Sequence, residues 1–430
     1  MEETNTQIPM SVRYGLQMSP AVMGEQTLCR YDSVNGNSFK MNGQSSEIRI
    51  NISGTGFLLG KEGYLYFEIQ NTDATNDIIM ANGCADVIES LRIESNNVEC
   101  ERRDGYGLIH SIEKAYTSFE NAFNAGSFEG AGASTLKQVD AGETKSYVLR
   151  LHSGFLSGGK LGKAIPLMGS AGITLILRLQ RPEEAFVQAA AGSQATSAMA
   201  SGKVLVNNVR YYAPVFQIQD AGFASRYSQM LSQVGIEWSG VTSKRYVGST
   251  GSSTGPHQMV VNDRSISLRG MVACLRPNAT KAEAYQLNTL SSDINGTENY
   301  KFMISGIEYP LGSVDVSVNE PGRCYLEAIK LFSTSVEDPE TVVDVTSFTS
   351  TTGTGADNLT KTPQGIMCCD LKRFGDKHLS LTGLATAAST QPSQFEVRTT
   401  DTFDQTRLDV YSICDAIYRM NPDGSFSSVY

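Results

Sequence analysis

The sequence predicts an all-β protein with two similar β units in tandem, and three observations lead to this prediction. The chain has 430 residues, enough for two large units at the usual size of about 100 to 200 residues per domain. Apolar residues make up 40% and charged residues only 19%, a glycine-rich globular composition that favours strands and turns. Runs of alternating apolar residues dominate, and each half of the chain has the order strand, break, helix.

Apolar residues at every second position mark the strands of the first half. In EIRINIS, Ile48, Ile50 and Ile52 point to one side and polar residues to the other. Such runs are bounded by Gly, Asn, Ser or Pro, and they are typical of antiparallel sheets with one face in solvent. The same alternation occurs at residues 64–70, 147–152 and 173–180.

Residues 87–102, VIESLRIESNNVECER, combine a hairpin pattern with a cluster of glutamates. Strict alternation across a turn at residues 95–97 predicts an inward row of Leu91, Ile93, Val98 and Cys100. It predicts an outward row of Arg92, Glu94, Glu99, Glu101 and Arg103. Water and arginine would screen these acids, whereas a paired-carboxylate active site needs two acids in a cleft with divergent pKa values. We therefore interpret the cluster as a solvated face.

After this hairpin the period changes to that of a helix. Residues 106–123 are predicted to form one amphipathic helix, with its apolar positions at Ile109, Ile112, Tyr116, Phe119 and Phe123. In the second half, alternation from Tyr300 to Ile304 predicts a strand, and residues 321–332 again have helical spacing. A repeat of roughly 200 residues is too long for a solenoid or propeller and indicates two large β units.

Three segments rich in small polar residues are predicted to be loops: residues 189–202, 248–255 and 346–360. The sequence NPDG at residues 421–424 has the pattern of a type I turn, and a final strand is expected after it. Residues 1–45 lack a clean period, although Met10 to Met18 alternate. They are expected to form an arm that docks on a neighbour or an inner layer, and a loosely ordered tail is an equal alternative.

The order of these elements resembles the double jelly-roll major capsid proteins of icosahedral DNA viruses, especially the branch of Polinton-like viruses, virophages and adintoviruses. The resemblance covers most of the chain and is carried by local sequences rather than by a strict signature. These are GYLYFEIQ, ADVIESLRIESNNVECERRDGYGLIHSIEKAY, LHSGFLSGGKLGKAIPL with GITLILRL, and YKFMISGIEYPLGSV.

The resemblance implies two eight-stranded jelly rolls, each with a short helix between strands. We place the N-terminal arm at residues 1–45, the first roll at 46–218 and the second at 219–430. Three chains would form a pseudo-hexagonal capsomer, a homotrimer that tiles a shell with neighbouring capsomers. Penton proteins, minor capsid proteins and an internal membrane are further partners that the resemblance implies. The three predicted loops are candidates for an outer tower or for contacts between subunits.

Composition limits the remaining partners. A net charge of −10 and the absence of a basic arm predict no direct sequence-specific binding of nucleic acid. The acidic start lacks the pattern of a secretion signal, so we expect synthesis and assembly inside the host cell and a final location in the virion capsid. The eight cysteines have no zinc-site spacing and are expected to be reduced and mostly buried.

Two other classes of function remain as alternatives: a two-sandwich glycan hydrolase or amidase with acids between its rolls, and a carbohydrate-binding β module. Neither has a sequence signal here. The four histidines, His110, His152, His257 and His378, have no nucleophile elbow or H-E-x-x-H motif beside them, and Trp238 is expected to pack in a strand. We predict no enzyme activity and no catalytic, cofactor-binding or metal-binding residues.

Overall fold

Two antiparallel β sandwiches follow one another along the chain, and we call them roll 1 and roll 2. The computed structural model describes residues 24–41, 46–80, 83–116, 128–130, 134–158, 162–190, 196–199, 202–219, 221–233, 235–249, 254–277, 297–316, 322–332, 366–372, 381–389, 391–400 and 406–430.

Roll 1 consists of two main sheets and a small side sheet. Its strands are β1 Gly24–Asp32, β2 Ser38–Met41, β3 Glu47–Ile52, β4 Phe57–Leu58, β5 Tyr64–Asn71, β6 Asn76–Met80, β7 Ile88–Ser95, β8 Val98–Asp104, β9 Gln138–Val139, β10 Thr144–Leu149, β11 Ile165–Pro166, β12 Ile173–Leu179, β13 Phe186–Ala190, β14 Thr196–Ala198 and β15 Val204–Ile218. One main sheet has the order β10-β5-β15, with β1 and β2 both on the other edge of β15, and β4 and β11 extend it. The facing sheet has the order β3-β12-β7-β8, and the side sheet the order β14-β13-β6-β9.

Roll 2 repeats the two main sheets. Its strands are β16 Ile236–Ser249, β17 Gly255–Val261, β18 Leu268–Pro277, β19 Thr297–Ile304, β20 Ile307–Asp315, β21 Met367–Asp370, β22 Ser393–Thr399, β23 Thr406–Met420 and β24 Phe426–Val429. One sheet has the order β16-β23-β18-β21, with β24 added to β23, and the other has the order β17-β22-β19-β20.

The principal strands of the two rolls, those of the two main facing sheets, correspond one to one. The order β3-β12-β7-β8 matches β17-β22-β19-β20, and β10-β5-β15 matches β21-β18-β23. The fourth strand of this sheet is β16 in roll 2, which pairs with β23 along its whole length. In roll 1 the same place beside β15 is taken by two shorter strands, β1 and β2. Each roll therefore has eight principal strands in two facing sheets, which is the jelly-roll arrangement. This confirms the predicted fold class of two tandem eight-stranded jelly rolls.

The alternating residues form the core as predicted. Ile48, Ile50 and Ile52 of β3 are each no more than 1% exposed, and the neighbouring Arg49 and Asn51 face solvent. Burying each such aliphatic side chain contributes about 1.5 to 3 kcal/mol relative to leaving it in water. The period of two, repeated along the strands, thus builds the interior of each sandwich.

Five α-helices lie among the described residues: α1 Tyr106–Ala115, α2 Ser134–Lys137, α3 Pro182–Ala185, α4 Ala221–Gln233 and α5 Gly322–Phe332. Short 3-10 helices occur at Gly60–Glu62 and Cys84–Val87. The helices expected in both halves are confirmed as α1 and α5, although Phe119 and Phe123 of the first prediction lie outside the described residues. None of the helices in the described ranges has the length and apolar character needed to cross a bilayer.

Some boundaries differ from the sequence predictions. The loop predicted at residues 189–202 contains β14, which pairs with β13. The predicted loop at residues 248–255 is shorter at both ends, because β16 extends to Ser249 and β17 begins at Gly255. Residues 250–253 and the loop at 346–360 lie outside the described part. The predicted turn at residues 421–424 is confirmed by the Gly424 N–H, which donates to Asn421 O at 2.9 Å, and β24 follows it.

The N-terminal segment also differs from its prediction. Residues 24–41 supply β1 and β2, so this part of the predicted arm belongs to a sheet of roll 1. Residues 1–23 lie outside the described residues. The last strand of roll 1 ends at Ile218 and α4 begins at Ala221, before the first strand of roll 2. We propose that the boundary between the units lies in this short connection.

The 13-residue helix α4 was not predicted. Its apolar side chains Phe223, Tyr227 and Leu231 are spaced four residues apart and lie on one helical face, which packs on roll 1. Phe57 contacts this face, with ring centroids 5.9 Å from Phe223 and 5.3 Å from Tyr227. The helical spacing of these three residues is therefore present in the sequence, but it lies between the more pronounced strand patterns of β15 and β16.

Candidate functional site

The two rolls are held together by a continuous contact region that we call the joint. On the side of roll 1 it consists of β8, α1 and residues 152–158, and on the side of roll 2 of β16, β23 and β24. Residues of both rolls share the same hydrophobic clusters across it. The joint fixes how the two rolls stand side by side.

A β-bulge in the hairpin β7–β8 supplies the polar half of the joint. Ile93 pairs with Glu101 and Glu94 with Glu99, so Cys100 is an extra residue in β8. An extra residue reverses the alternation of everything after it. Glu101 and Arg103 consequently point inward, at 0% and 2% exposure. Val98, which precedes the extra residue at the turn end of the hairpin, is 52% exposed.

The solvated-face interpretation is therefore wrong for Glu101 and Arg103, and the inward prediction is wrong for Val98. The solvated-face interpretation holds for the rest of the outward row, where Arg92 forms an ion pair with Glu94 at 3.0 Å and Glu99 is exposed. The prediction assumed strict alternation through Cys100, and a bulge is not visible in a pattern of apolar residues.

Glu101 is fixed by the segment that follows β10. Its carboxylate accepts hydrogen bonds from the Ser153 hydroxyl, from Gly154 N at 2.9 Å and from Phe155 N at 3.0 Å. Three donors compensate the lost hydration of a fully buried carboxylate. Glu101 thereby holds the turn at residues 153–157 in the conformation that directs Phe155 towards roll 2.

Arg103 connects the two rolls directly. Its guanidinium donates to Ser243 Oγ of β16 at 3.0 Å, to the His152 carbonyl oxygen at 2.7 Å and to the Glu113 carboxylate of α1. Burial disfavours its charge, yet the neighbouring carboxylates of Glu113 and Glu101 raise the pKa of Arg103 above its ordinary value. One buried cation therefore ties a strand, a helix and a turn of roll 1 to roll 2.

An aromatic cluster forms the apolar half of the joint. The ring of Phe155 is fully buried and meets Trp238, Tyr418 and Phe426 of roll 2 edge-on, at centroid distances of 5.2 to 5.4 Å. The Trp238 indole N–H donates to Phe155 O at 3.1 Å. The prediction that Trp238 packs rather than binds a sugar is consistent with this burial, and its packing partner comes from the other roll.

The two backbones also touch where both rolls carry glycine. A Cβ added to Gly240 of β16 would lie 2.2 Å from Gly154 O, and one added to Gly154 would lie 2.7 Å from Val241 O. No side chain larger than hydrogen fits this approach without moving backbone atoms. The joint is therefore a close fit at its centre rather than a loose hinge.

A cleft of about 510 Å³ opens beside the joint. Its acidic side chains are the candidates for a catalytic pair of carboxylates. Glu113 and Asp415 line it together with Arg103, His152 and Arg269. Burial alone would raise the pKa of Glu113, but Arg103 and His152 outweigh this effect and hold that pKa at about 2. Glu113 is thus a permanently charged partner of Arg103 and a poor proton donor.

Histidine, cysteine and acidic side chains are the groups that could bind a metal ion. The described residues contain no group of three or more His, Cys, Asp or Glu side chains that could hold a metal ion. His378 lies outside the described residues. His257 is half-exposed on β17, and His110 and His152 lie at the joint.

The eight cysteines are free thiols, seven of them buried and Cys29 half-buried, which confirms that prediction. The adjacent Cys368 and Cys369 point to opposite faces of β21 and are both fully buried. This is possible because α5 packs on β21 and covers one face. Burial raises the pKa of both thiols, so neither is an activated nucleophile.

His110 gives the joint a predictable pH dependence. Its ring is 2% exposed, with Nε2 3.3 Å from Arg150 O and the ring centroid 4.3 Å from that of His152. Burial, and then the charges of His152 and Lys114, lower the pKa of His110 well below the ordinary value of 6.5. The unfolded chain therefore binds a proton below pH 6.5 that the native chain excludes, and stability falls as the pH falls.

We expect the free energy of unfolding to decrease from pH 6.5 towards about pH 5 with a slope of up to about 1.4 kcal/mol per pH unit from this residue. Urea denaturation across this range measures it. In His110→Gln the slope should be smaller by that amount, since glutamine does not titrate. An unchanged slope in the variant would contradict the assignment to His110.

Comparisons with known proteins find similarity in structure alone. No family model and no curated protein sequence matches the chain. The capsid of the virus PBCV-1 aligns with a TM-score of 0.65 at 9% identity, covering 97% of this chain and 99% of that one. The Faustovirus major capsid protein aligns at 0.56 and 8% identity, covering 94% and 92%. The mavirus major capsid protein aligns at 0.54 and 13% identity, covering 99% and 95%.

These alignments extend over both rolls and the joint. At such low identity they establish the fold: the chain has the double jelly-roll fold of viral major capsid proteins. The resemblance stated from the sequence is confirmed at that level.

Proposed function

We propose that this double jelly-roll chain is a major capsid protein that assembles as trimeric, pseudo-hexagonal capsomers and tiles an icosahedral shell in the virion. One observation carries the proposal. Two rolls with the same strand order are locked side by side by a buried ionic and aromatic joint. A rigid pair of equivalent lobes is what a tiling subunit requires, and the fold shared with viral capsid proteins supports the same conclusion.

The proposed geometry follows from the count of lobes. Three copies of a chain with two equivalent lobes give six lobes around one axis, and closed rings of identical chains are a common form of assembly. Six similar lobes pack in a plane as hexagons do. Many weak contacts between such units then add up to a stable shell.

The partners we propose follow from the same role. Neighbouring capsomers are the first, and penton proteins, minor capsid proteins and an internal membrane complete the set. The net charge of −10 supports leaving contact with the genome to other components. Synthesis and assembly would take place inside the host cell.

The glycan-hydrolase alternative is less well supported. It requires acids between the rolls that act as a proton donor and a nucleophile or base. The structure does have acids there, but Glu113 is held charged by Arg103, and Glu101 accepts three hydrogen bonds from the turn that it fixes. These groups are engaged in holding the rolls together, so we propose a structural role without catalysis.

The mass of the purified protein in solution tests the proposal. Light scattering should give about 140 kDa, three times the chain mass of 46.5 kDa, and higher concentration should produce larger closed assemblies. A species that stays at 46.5 kDa at all concentrations, or one that hydrolyses glycans, would contradict it.

A further inference from the structure

The cleft beside the joint carries an excess of positive charge, although the chain as a whole has a net charge of −10. Its lining includes the carboxylates of Glu113 and Asp415. The permanently cationic side chains that line it are Lys61, Arg103, Arg150 and Arg269. Two carboxylates therefore face four cations, and an anion that enters the cleft meets a net attraction.

The two carboxylates of the cleft are already engaged by the protein. One oxygen of Glu113 pairs with Arg103, and the other lies 3.0 Å from Nδ1 of His152. Asp415 accepts a hydrogen bond from the Ser267 hydroxyl at 2.7 Å. Arg103 is likewise occupied at the joint, so the cations that remain for a ligand are the other three.

These three cations lack a strong partner. The side chain of Arg269 on β18 is 19% exposed, and its guanidinium forms no hydrogen bond within the described part of the chain. Its Nε lies 3.8 Å from an Asp415 carboxylate oxygen, which is too long for a hydrogen bond. Arg150 and Lys61 are exposed, and neither side chain has an ion pair or hydrogen bond to another described residue. A mostly buried guanidinium with unused donors favours a ligand that supplies acceptors.

Apolar side chains of both rolls form a second part of the wall. Leu151 of roll 1 lines the cleft and is half-buried, as are Val241 and Phe332 of roll 2. The ring of Phe332 stacks on that of Tyr116 of roll 1, with the centroids 5.3 Å apart. Half-exposed apolar surface beside unused cations makes the cleft amphipathic, and small-molecule sites commonly combine these two features.

The size of the cleft indicates the size of its ligand. Its volume of about 510 Å³ lies in the range of about 300 to 1,000 Å³ that is typical of small-molecule sites. An inorganic ion would fill a small part of this space and would leave the apolar wall in water. We propose that the cleft binds a small organic anion, a carboxylate or phosphate group that carries an aliphatic body.

The head group of this ligand lies between the two rolls, where it accepts hydrogen bonds from Arg269 and is attracted by Arg150 and Lys61. The planar guanidinium of Arg269 matches two oxygens of a carboxylate or phosphate. The aliphatic body covers Leu151 and Phe332, which removes apolar surface from water. The bound ligand thus bridges the rolls. All of these residues belong to one chain, so the site goes beyond the capsomer proposal and does not depend on it.

Titration calorimetry of the purified full chain tests the site with four probes. Octanoate and octyl phosphate combine an anionic head group with an aliphatic body, whereas octanol lacks the charge and inorganic phosphate lacks the body. We expect the first two to bind at one per chain and at least about tenfold more tightly than the other two. The tighter of the two identifies the preferred head group.

Substitutions in the cleft locate the binding. Arg269→Gln should weaken octanoate binding by about tenfold or more, because charge-assisted hydrogen bonds are lost. Arg150→Glu should have a similar effect, because it replaces an attracting charge by a repelling one. Arg181→Glu is the matched control, since Arg181 is exposed and does not line the cleft, and the affinity should stay within about twofold. Circular dichroism melting shows that each variant is folded, and Arg150→Glu carries the test if Arg269→Gln melts early.

Three results would overturn the proposal. Equal weakening by Arg150→Glu and Arg181→Glu would show that the probes respond to the overall charge of the chain. Inorganic phosphate that binds as tightly as octanoate would rule out the aliphatic ligand, and the lack of saturable binding by octanoate and octyl phosphate would rule out the site. The mass of the protein in solution tests the proposed function separately, so failure of one proposal is distinguishable from failure of the other.

Discussion

Replacing Phe155 by alanine is expected to lower the free energy of unfolding by about 3 to 5 kcal/mol. The ring is fully buried among Trp238, Tyr418 and Phe426, so its loss leaves a cavity bounded by both rolls. A typical domain is stable by only about 5 to 15 kcal/mol, so this loss is a large fraction of the total. Urea denaturation at one fixed protein concentration measures it, because assembly adds to apparent stability.

The matched control is the same substitution at Phe128, whose side chain is 65% exposed. Phe128→Ala should change the free energy of unfolding by about 0.5 kcal/mol or less. A Phe155→Ala variant as stable as this control would show that the rolls do not depend on the aromatic cluster.

Replacing Arg103 by leucine is expected to destabilise the chain by about 3 to 5 kcal/mol. The substitution removes hydrogen bonds to Ser243 Oγ and the His152 carbonyl, and it leaves Glu113 without its main counter-charge. The pKa of Glu113, about 2 in the native chain, should rise, so the stability that this acid contributes above its ordinary pKa of 4.5 is lost. Chemical denaturation measures the first effect, and NMR titration of the Glu113 carboxyl measures the second.

Arg102 provides a control one residue away. It points to solvent, where its side chain is 50% exposed and pairs with the exposed Asp104. Arg102→Leu should therefore cost about 0 to 1 kcal/mol. In the double variant Arg103→Leu with Glu113→Leu, part of the loss should be recovered, because no uncompensated charge remains. Equal effects at Arg102 and Arg103 would contradict the bulge at Cys100.

Local pattern was sufficient to predict most of the fold. The isoleucines of β3 alternate because one face of the strand packs in the sandwich and the other is in water. This requirement acts on neighbouring residues of one strand, so it can be recognised in the sequence as a period of two. The helices α1 and α5 were predicted for the same reason. The helix α4 was missed although Phe223, Tyr227 and Leu231 have helical spacing.

The joint could not be predicted in this way. Its geometry depends on one inserted residue, Cys100, which shifts Glu101 and Arg103 from the outer face to the inner one. Its contacts join residues that are far apart in the chain: Ser243 lies 140 residues after Arg103, and Trp238 lies 83 residues after Phe155. Alternation describes a strand and its immediate face, and it carries no information about which distant surface covers that face.

The particle formed by the purified protein shows most directly whether two equivalent lobes per chain form a six-lobed ring. A three-dimensional electron cryomicroscopy map should show a three-fold particle with six similar lobes, neighbouring lobes being joined alternately within and between chains. A two-fold particle, or single 46.5 kDa chains with two lobes at every concentration, would rule out the six-lobed ring.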